Sequence, residues 1–492
     1  MRVFGLALVL IGCQSTIEFP DPDDWESAGP GGPGRSFESS ELFQSCATLS
    51  GGEEDAQEHN LVGMVDGYLV LPWAPETAGG GLSLFDFSDP CAPVEVGKAV
   101  LPMMRETHTL AVGRTNGRRY LAVDSMDPED HTAGGIGFVD ITDPQNPVWA
   151  GHLVLPGFKY PDAYFFVSLS AFWLGDVLYV PMGFLGVAVV DVSDPTQPVH
   201  LSTIPADTLL TGSFHVVGTR AMLSNAGMSL TRIYDVSDPL EPRPLAGGEF
   251  EILDEEGGRP IPYYFANMGG KYALFARKGD GGGPVVYDLS DPAEPAFVSH
   301  LHQEEAAGGY IFRHHEYLFQ GEGDFGALYE FSSPMQPTEI GRFHLPGDLD
   351  TVTPVGNVAV VSVDHGARDG VSSVVVPWQS EVDTQEPTAE LSFPMDGETN
   401  VALTAAIGVS FDEAVLDVSV FAGSFRVWTH RQEPVAGRYF VQEGIVNFVP
   451  DLPFPEDTTI HVELPVEGVS DLSGNPLKRS LEFSFSTGEI LK

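Results

Sequence analysis

A nine-residue motif recurs six times along the middle of this 492-residue chain, and it constrains the fold more than any other feature. The copies are FDFSDPCAP from Phe85, VDITDPQNP from Val139, VDVSDPTQP from Val190, YDVSDPLEP from Tyr234, YDLSDPAEP from Tyr287 and YEFSSPMQP from Tyr329. Their first acidic residues, Asp86, Asp140, Asp191, Asp235, Asp288 and Glu330, are spaced by 54, 51, 44, 53 and 42 residues. A repeat of that period points to propeller blades or another β-array.

Each copy has a local physical reading. In Val187-Ala-Val-Val-Asp191 both strand faces are apolar until the acid, which suits a strand packed on two sides. The Ser-Asp-Pro that follows is a turn, because Asp and Ser accept backbone N–H bonds and Pro fixes φ. The acids Asp86, Asp89, Asp140, Asp143, Asp191, Asp194, Asp235, Asp238, Asp288 and Asp291 therefore read as turn-forming residues. A catalytic group would not be needed six times over. The second Pro, Pro198 in the third copy, opens a further strand that is best placed at a sheet edge.

Two apolar runs precede each copy, such as 170–174 and 177–180 in the third unit. Four short antiparallel strands per unit make one propeller blade. A seventh unit lacks the motif but keeps three strands, at 351–355, 358–362 and 373–377. Its missing outer strand is expected from the other end of the chain, at 43–49. The expected fold is all-β, a propeller over 42–378 with seven blades, six or eight being the alternatives.

The units resemble the LVIVD-repeat family, and Val187–Asp191 matches its signature best. Unit six departs from it, with Glu330 and Ser333 in place of the two Asp residues. The resemblance implies a β-propeller, often on bacterial surface proteins, and implies no enzyme activity.

A polar linker at 379–385 leads to a second β-domain at 386–492. Strands are expected at 389–393, 406–411, 425–429, 445–449, 459–464 and 481–487, separated by turn signals at sandwich-like spacing. Pro394-Met-Asp-Gly397, Val409-Ser-Phe-Asp-Glu-Ala-Val415 and Gly468-Val-Ser-Asp-Leu-Ser-Gly-Asn-Pro-Leu477 are similar to bacterial Ig-like domains. That resemblance implies a spacer or adhesive module.

The N-terminus carries an export pattern. Val3–Ile11 is apolar but shorter than the roughly 20 residues that span a bilayer. It ends in Leu10-Ile-Gly-Cys13, which resembles the bacterial lipobox and implies a signal peptide over 1–12 and lipid on Cys13. Gln14, rather than Asp, favours the outer membrane. Residues 13–41 are Pro/Gly-rich and read as a flexible tether. With Cys13 lipidated, Cys46 and Cys91 are left; they form one disulfide or remain two buried thiols.

The net charge of −46 argues against nucleic acid and anionic lipid surfaces as partners. Acidic oxygens suit Ca2+, yet no complete calcium loop occurs; Asp124-Ser-Met-Asp127-Pro-Glu-Asp130 is the densest acidic cluster. His59, His108, His215 and His314 fall on or beside first strands, but their offsets differ, so a metal-binding ring is not expected. His314 and His315, adjacent on a strand, are expected to point to opposite faces. No nucleophile elbow, zinc-protease or phosphate-loop motif occurs. Catalytic, cofactor and metal residues are therefore expected to be none. The reading is a non-enzymatic envelope lipoprotein that binds an unidentified protein or glycan. The alternatives are a ligand-free structural component and a metal-dependent hydrolase using the propeller channel.

Overall fold

The structure is a computed structural model, which describes residues 17, 19, 29, 31–49, 61–74, 79–108, 110–127, 130, 132–159, 170–255, 258–332, 336–368 and 370–488. The signal segment, Cys13 and His59 lie outside the described residues.

Seven four-stranded antiparallel sheets form the propeller. Blade three shows the pattern: Phe172–Leu174, Val177–Pro181, Val187–Asp191 and Val199–Ile204, from the inside outward. The motif strand is third, and Val187 to Val190 are fully buried between neighbouring blades. Each buried valine contributes roughly 1.5–3 kcal/mol by leaving water. In six blades the pairing of third and outer strands shifts register near the motif acid, as between Val189 and Val190 or Val286 and Tyr287. Such a bulge bends the outer strand and deepens its twist.

The motif acids form the turns. Asp86, Asp140, Asp191, Asp235 and Asp288 each accept the backbone N–H two residues on, from Ser88, Thr142, Ser193, Ser237 and Ser290. Asp89, Asp143, Asp194, Asp238 and Asp291 do the same for Cys91, Gln145, Thr196, Leu240 and Ala293.

The ring closes through both ends of the propeller segment. Ala47–Leu49 pairs with Ser373–Pro377 as the outer strand of blade seven, with Ala47 opposite Val375. Cys46, beside this strand, is joined to Cys91 in the turn of blade one. The expected flexible tether over 13–41 does not hold for its last part. Gly31 donates to the Gly67 carbonyl, Gly32 to Leu472, and Phe37 to Ser380. Phe37 is buried with Leu49, Val62 and Leu472. The composition shows no core-forming pattern, but this stretch needs none of its own; it fills a seam between the propeller and the second domain.

That second domain is a sandwich. One sheet holds Ala389–Phe393, Ile407–Phe411, Ile445–Pro450 and Gly437–Gln442; the other holds Arg426–Thr429, Thr459–Leu464 and Leu481–Ser486. Its core includes Val409, Phe425, Phe448 and Phe485. It sits on the hairpin turns that join first to second strands, blade by blade. Asp417 accepts from Asp66 N and pairs with Arg114 in blades one and two. Arg438 pairs with Asp176 of blade three, and Asn447 takes the Gly218 N–H of blade four. The Phe411 carbonyl accepts from Gly270, and the Asp412 carbonyl from His315, in blades five and six. In blade seven, a Cβ placed on Gly356 would be 2.5 Å from Ser473 Oγ. Phe393, Ala406 and Ile445 join the propeller's own apolar core, so the contact is not merely polar. One end of the channel is thereby closed over a residual cavity of about 80 Å³ between Val112, Met268, Phe312 and Gln442.

Candidate functional site

The other mouth of the channel faces away from the Ig-like domain. It is built from residues just outside the strand ends. His108 precedes Ala111–Thr115, Tyr310 directly precedes Ile311–His314, and Asp350 directly precedes Thr351–Val355. Asp124 lies near the end of Arg118–Met126, Lys278 follows Tyr272–Arg277, and Asp364 follows Val358–Ser362.

These side chains form one network. His108 Nδ1 and Tyr310 Oη are 2.8 Å apart, and His108 Nε2 lies 3.2 Å from Glu106 Oε1. The His108 backbone N–H donates to Asp124 Oδ2 at 3.2 Å. Phe265 packs on Tyr310 with ring centroids 4.0 Å apart. Lys278 Nζ lies 3.8 Å from Asp350 Oδ1 and over the rings of Tyr264 and Phe265, at 5.2 and 5.5 Å.

The carboxylates here are buried beyond what their cations offset. Burial pushes Asp124 up to about 7, with Glu106 adding to the rise and His108 holding it back. Burial also pushes Asp350 up to about 7, against Lys278. Asp364 is held well above the usual carboxylate range by burial and by Glu106. Asp124 Oδ1 is buried without a hydrogen-bond partner. The mouth is therefore a place that holds protons near neutrality and gains from an incoming hydrogen-bond donor or positive charge. Outward from Tyr264 and Lys278, a surface groove of about 520 Å³ continues past Arg259, Pro262 and Gly279.

The histidines singled out from the sequence do not form a ring. His108 belongs to the open mouth. His215 lies inside Thr211–Val217, fully buried, and burial lowers it to about 4. His314 ends its strand at the covered face. The acidic cluster splits likewise: Asp124 faces the mouth, while Asp127 and Asp130 shape a turn, with Asp130 N donating to Asp127 Oδ1 at 2.8 Å.

The expected opposite orientation of His314 and His315 is corrected. His315 has a φ of 52°, so the chain leaves the strand at that residue and the alternation stops. Their ring centroids lie 4.8 Å apart, and both rings face Glu413. Glu106, Tyr310, Lys278, Asp350 and Asp364 were not anticipated. For Tyr310, Lys278 and Asp350 the signal was a polar or aromatic residue standing directly before or after an inner strand; Glu106 and Asp364 lie further out in the loops.

The comparisons agree with this architecture. An LVIVD-repeat model matches residues 173–204, and a bacterial Ig-like domain model matches 383–487. The chain thus carries an LVIVD repeat in a β-propeller and a bacterial Ig-like domain, the latter an association with bacterial surface proteins. Some solved structures are similar over about two thirds of the chain. "Structure of U3-55K" has 13% identity and a TM-score of 0.48, covering 69% of this chain and 99% of that one. The periplasmic gluconolactonase of Pseudomonas aeruginosa has 12% identity and a TM-score of 0.44, covering 64% and 88%. BamB of Moraxella catarrhalis has 11% and 0.39, covering 67% and 95%. No curated protein matches the chain. Among the described residues, no helix is long and apolar enough to cross a membrane.

Proposed function

We propose that this is a bacterial envelope lipoprotein, anchored through Cys13 at the outer membrane, whose propeller binds a protein or glycan at its open mouth. The observation that carries this reading is the asymmetry of the two mouths. The Ig-like domain covers one mouth blade by blade and acts as its base. At the other, Tyr264 and the Lys278 ammonium line a surface groove above the buried network of His108, Tyr310, Asp124 and Asp350. Aromatic faces beside polar groups suit recognition of a sugar or of a polar protein loop. The chain's −46 charge supports a non-nucleic-acid partner.

The test is capture from envelope extracts with the mature chain and with a Tyr264→Ala, Lys278→Glu double variant. A saturable partner lost by the double variant supports the reading. Equal capture by both, or by neither, overturns it and favours a structural component without a ligand. Cys13→Ser tests the anchor separately: it should move the protein from the membrane to the soluble fraction.

A further inference from the structure

We propose a structural divalent-metal site, best suited to Zn2+, formed by His314, His315, Asp383 and Glu413 where the propeller, the linker and the Ig-like domain meet. These residues come from three segments far apart in the chain: the first hairpin of blade six, the stretch after Trp378, and the turn after Ile407–Phe411. All four are buried, with exposures of 6, 4, 7 and 3%. Their candidate donor atoms lie within 4.8 Å of one another.

The four residues can each turn one donor atom toward a common point. His315 Nε2 is 3.0 Å from Glu413 Oε1, His314 Nδ1 is 3.1 Å from Glu413 Oε2, and His314 Nε2 is 3.7 Å from Asp383 Oδ2. Tetrahedral bonds of about 2.0–2.1 Å place neighbouring donor atoms about 3.3 Å apart; the two Glu413 contacts are close to this, while His314 offers the ion one ring nitrogen only and separations of up to 4.8 Å close as it binds. Three of the atoms, His315 Nε2, Asp383 Oδ2 and Glu413 Oε1, are buried and make no aligned hydrogen bond, His315 Nε2 and Glu413 Oε1 only facing each other as an ion pair. An unpartnered buried donor or acceptor is destabilising. Three meeting at one point call for a common partner, and a cation satisfies them together.

Neighbouring groups orient the ligands as metal sites require. His315 Nδ1 lies 3.2 Å from Asp412 Oδ2, which leaves Nε2 directed at the cluster. Asp412 is itself fixed by the Thr388 N–H at 2.6 Å. Asp383 Oδ1 accepts from Gln385 N at 3.0 Å, leaving Oδ2 for the site. The Asp383 carbonyl is held by Asn475, which also bonds Asp471. Arg313, whose charge acts on Asp412 and Glu413, is committed to Glu390 in a two-point pair at 2.7 and 2.9 Å. Two imidazoles with two carboxylates suit Zn2+ over Ca2+, which takes oxygen ligands alone. Four protein ligands leave no open position, which makes the site structural rather than catalytic.

The experiment uses the mature chain, stripped with chelator and titrated with ZnSO4 by calorimetry, then with CoCl2 to read coordination from the visible spectrum. Wild type should bind one Zn2+ per chain, gain thermal stability on binding, and show the intense visible bands of tetrahedral Co2+. Glu413→Gln, nearly isosteric, and His315→Ala should abolish stoichiometric binding. Asp412→Asn should weaken it about 10–100-fold. His200→Ala, on the outer strand of blade three, should bind as wild type. Folding of each variant is checked by circular dichroism. Absence of stoichiometric Zn2+ binding by wild type, or unchanged binding by folded Glu413→Gln, overturns the proposal.

Discussion

Gly218 of blade four and Gly408 of the Ig-like domain approach so closely that neither can carry a side chain. A Cβ on Gly408 would lie 2.0 Å from Gly218 N, and one on Gly218 would lie 2.0 Å from the Phe393 carbonyl oxygen. Asn447 bridges the same spot, accepting from Gly218 N at 2.7 Å and donating to the Val216 carbonyl at 2.9 Å. The domains meet backbone to backbone there. Gly408→Val should therefore force them apart while leaving each core intact. Limited proteolysis in 379–387 and small-angle scattering should report a loosened, longer particle; unchanged scattering would show that the contact gives way locally.

Turn acids should matter for stability and not for binding. Asp191→Ala removes the acceptor for Ser193 N and should cost about 1 kcal/mol. Asp140→Ala should cost more, because Asp140 is buried and pairs with Arg118 at 3.1 Å as well as capping Thr142. Chemical denaturation gives both numbers. A variant as stable as wild type would mean that the Pro residues alone hold the turn.

The Cys46–Cys91 bond links chain positions 45 residues apart. The chain-entropy account assigns such a loop about 4 kcal/mol. Reduction, or Cys46→Ser with Cys91→Ser, should lower the melting temperature. Amide exchange should rise first at Val374 and Val375, whose partner strand is no longer pinned. Uniform exchange across all blades would indicate instead that the ring opens as one unit.

The open mouth should make stability depend on pH in an unusual direction. Asp124 and Asp350 are raised from 3.8 to about 7, so between these values the folded chain binds protons that the unfolded chain has released. Their contribution is fully present below about pH 4 and is lost as pH rises through about 7. Other carboxylates act elsewhere, so the check is a difference. Asp124→Asn and Asp350→Asn should each gain stability relative to wild type between pH 5 and pH 8. A gap that does not widen with pH would remove the proton-holding role of that residue.

Much of the architecture could be read from local chemistry. The turn acids mark five of the six motif strands with the same hydrogen bonds that the structure shows, and the missing strand of blade seven is supplied within the stretch expected for it, at Ala47–Leu49. What escaped was set by long-range packing or by single backbone angles. The Gly437–Gln442 strand is half buried along most of its length, so its pattern does not alternate clearly. His314 and His315 read as a strand pair until the left-handed turn at His315 brings both rings round. Phe37 gives no sign in sequence that it will be buried, because part of the cluster that buries it, Val355 and Leu472 included, lies hundreds of residues away.

The closure of blade seven also has a kinetic side. Ala47 is among the first parts of the propeller to be made, and Val375, its partner, is among the last. Until the two meet, the Ser373–Pro377 strand keeps a bare edge able to pair with another chain. So distant a pairing is slow. The ring must wait for nearly its whole length before it can lock, and a helper that shields this edge during synthesis or export would act on the step where misassembly is most costly.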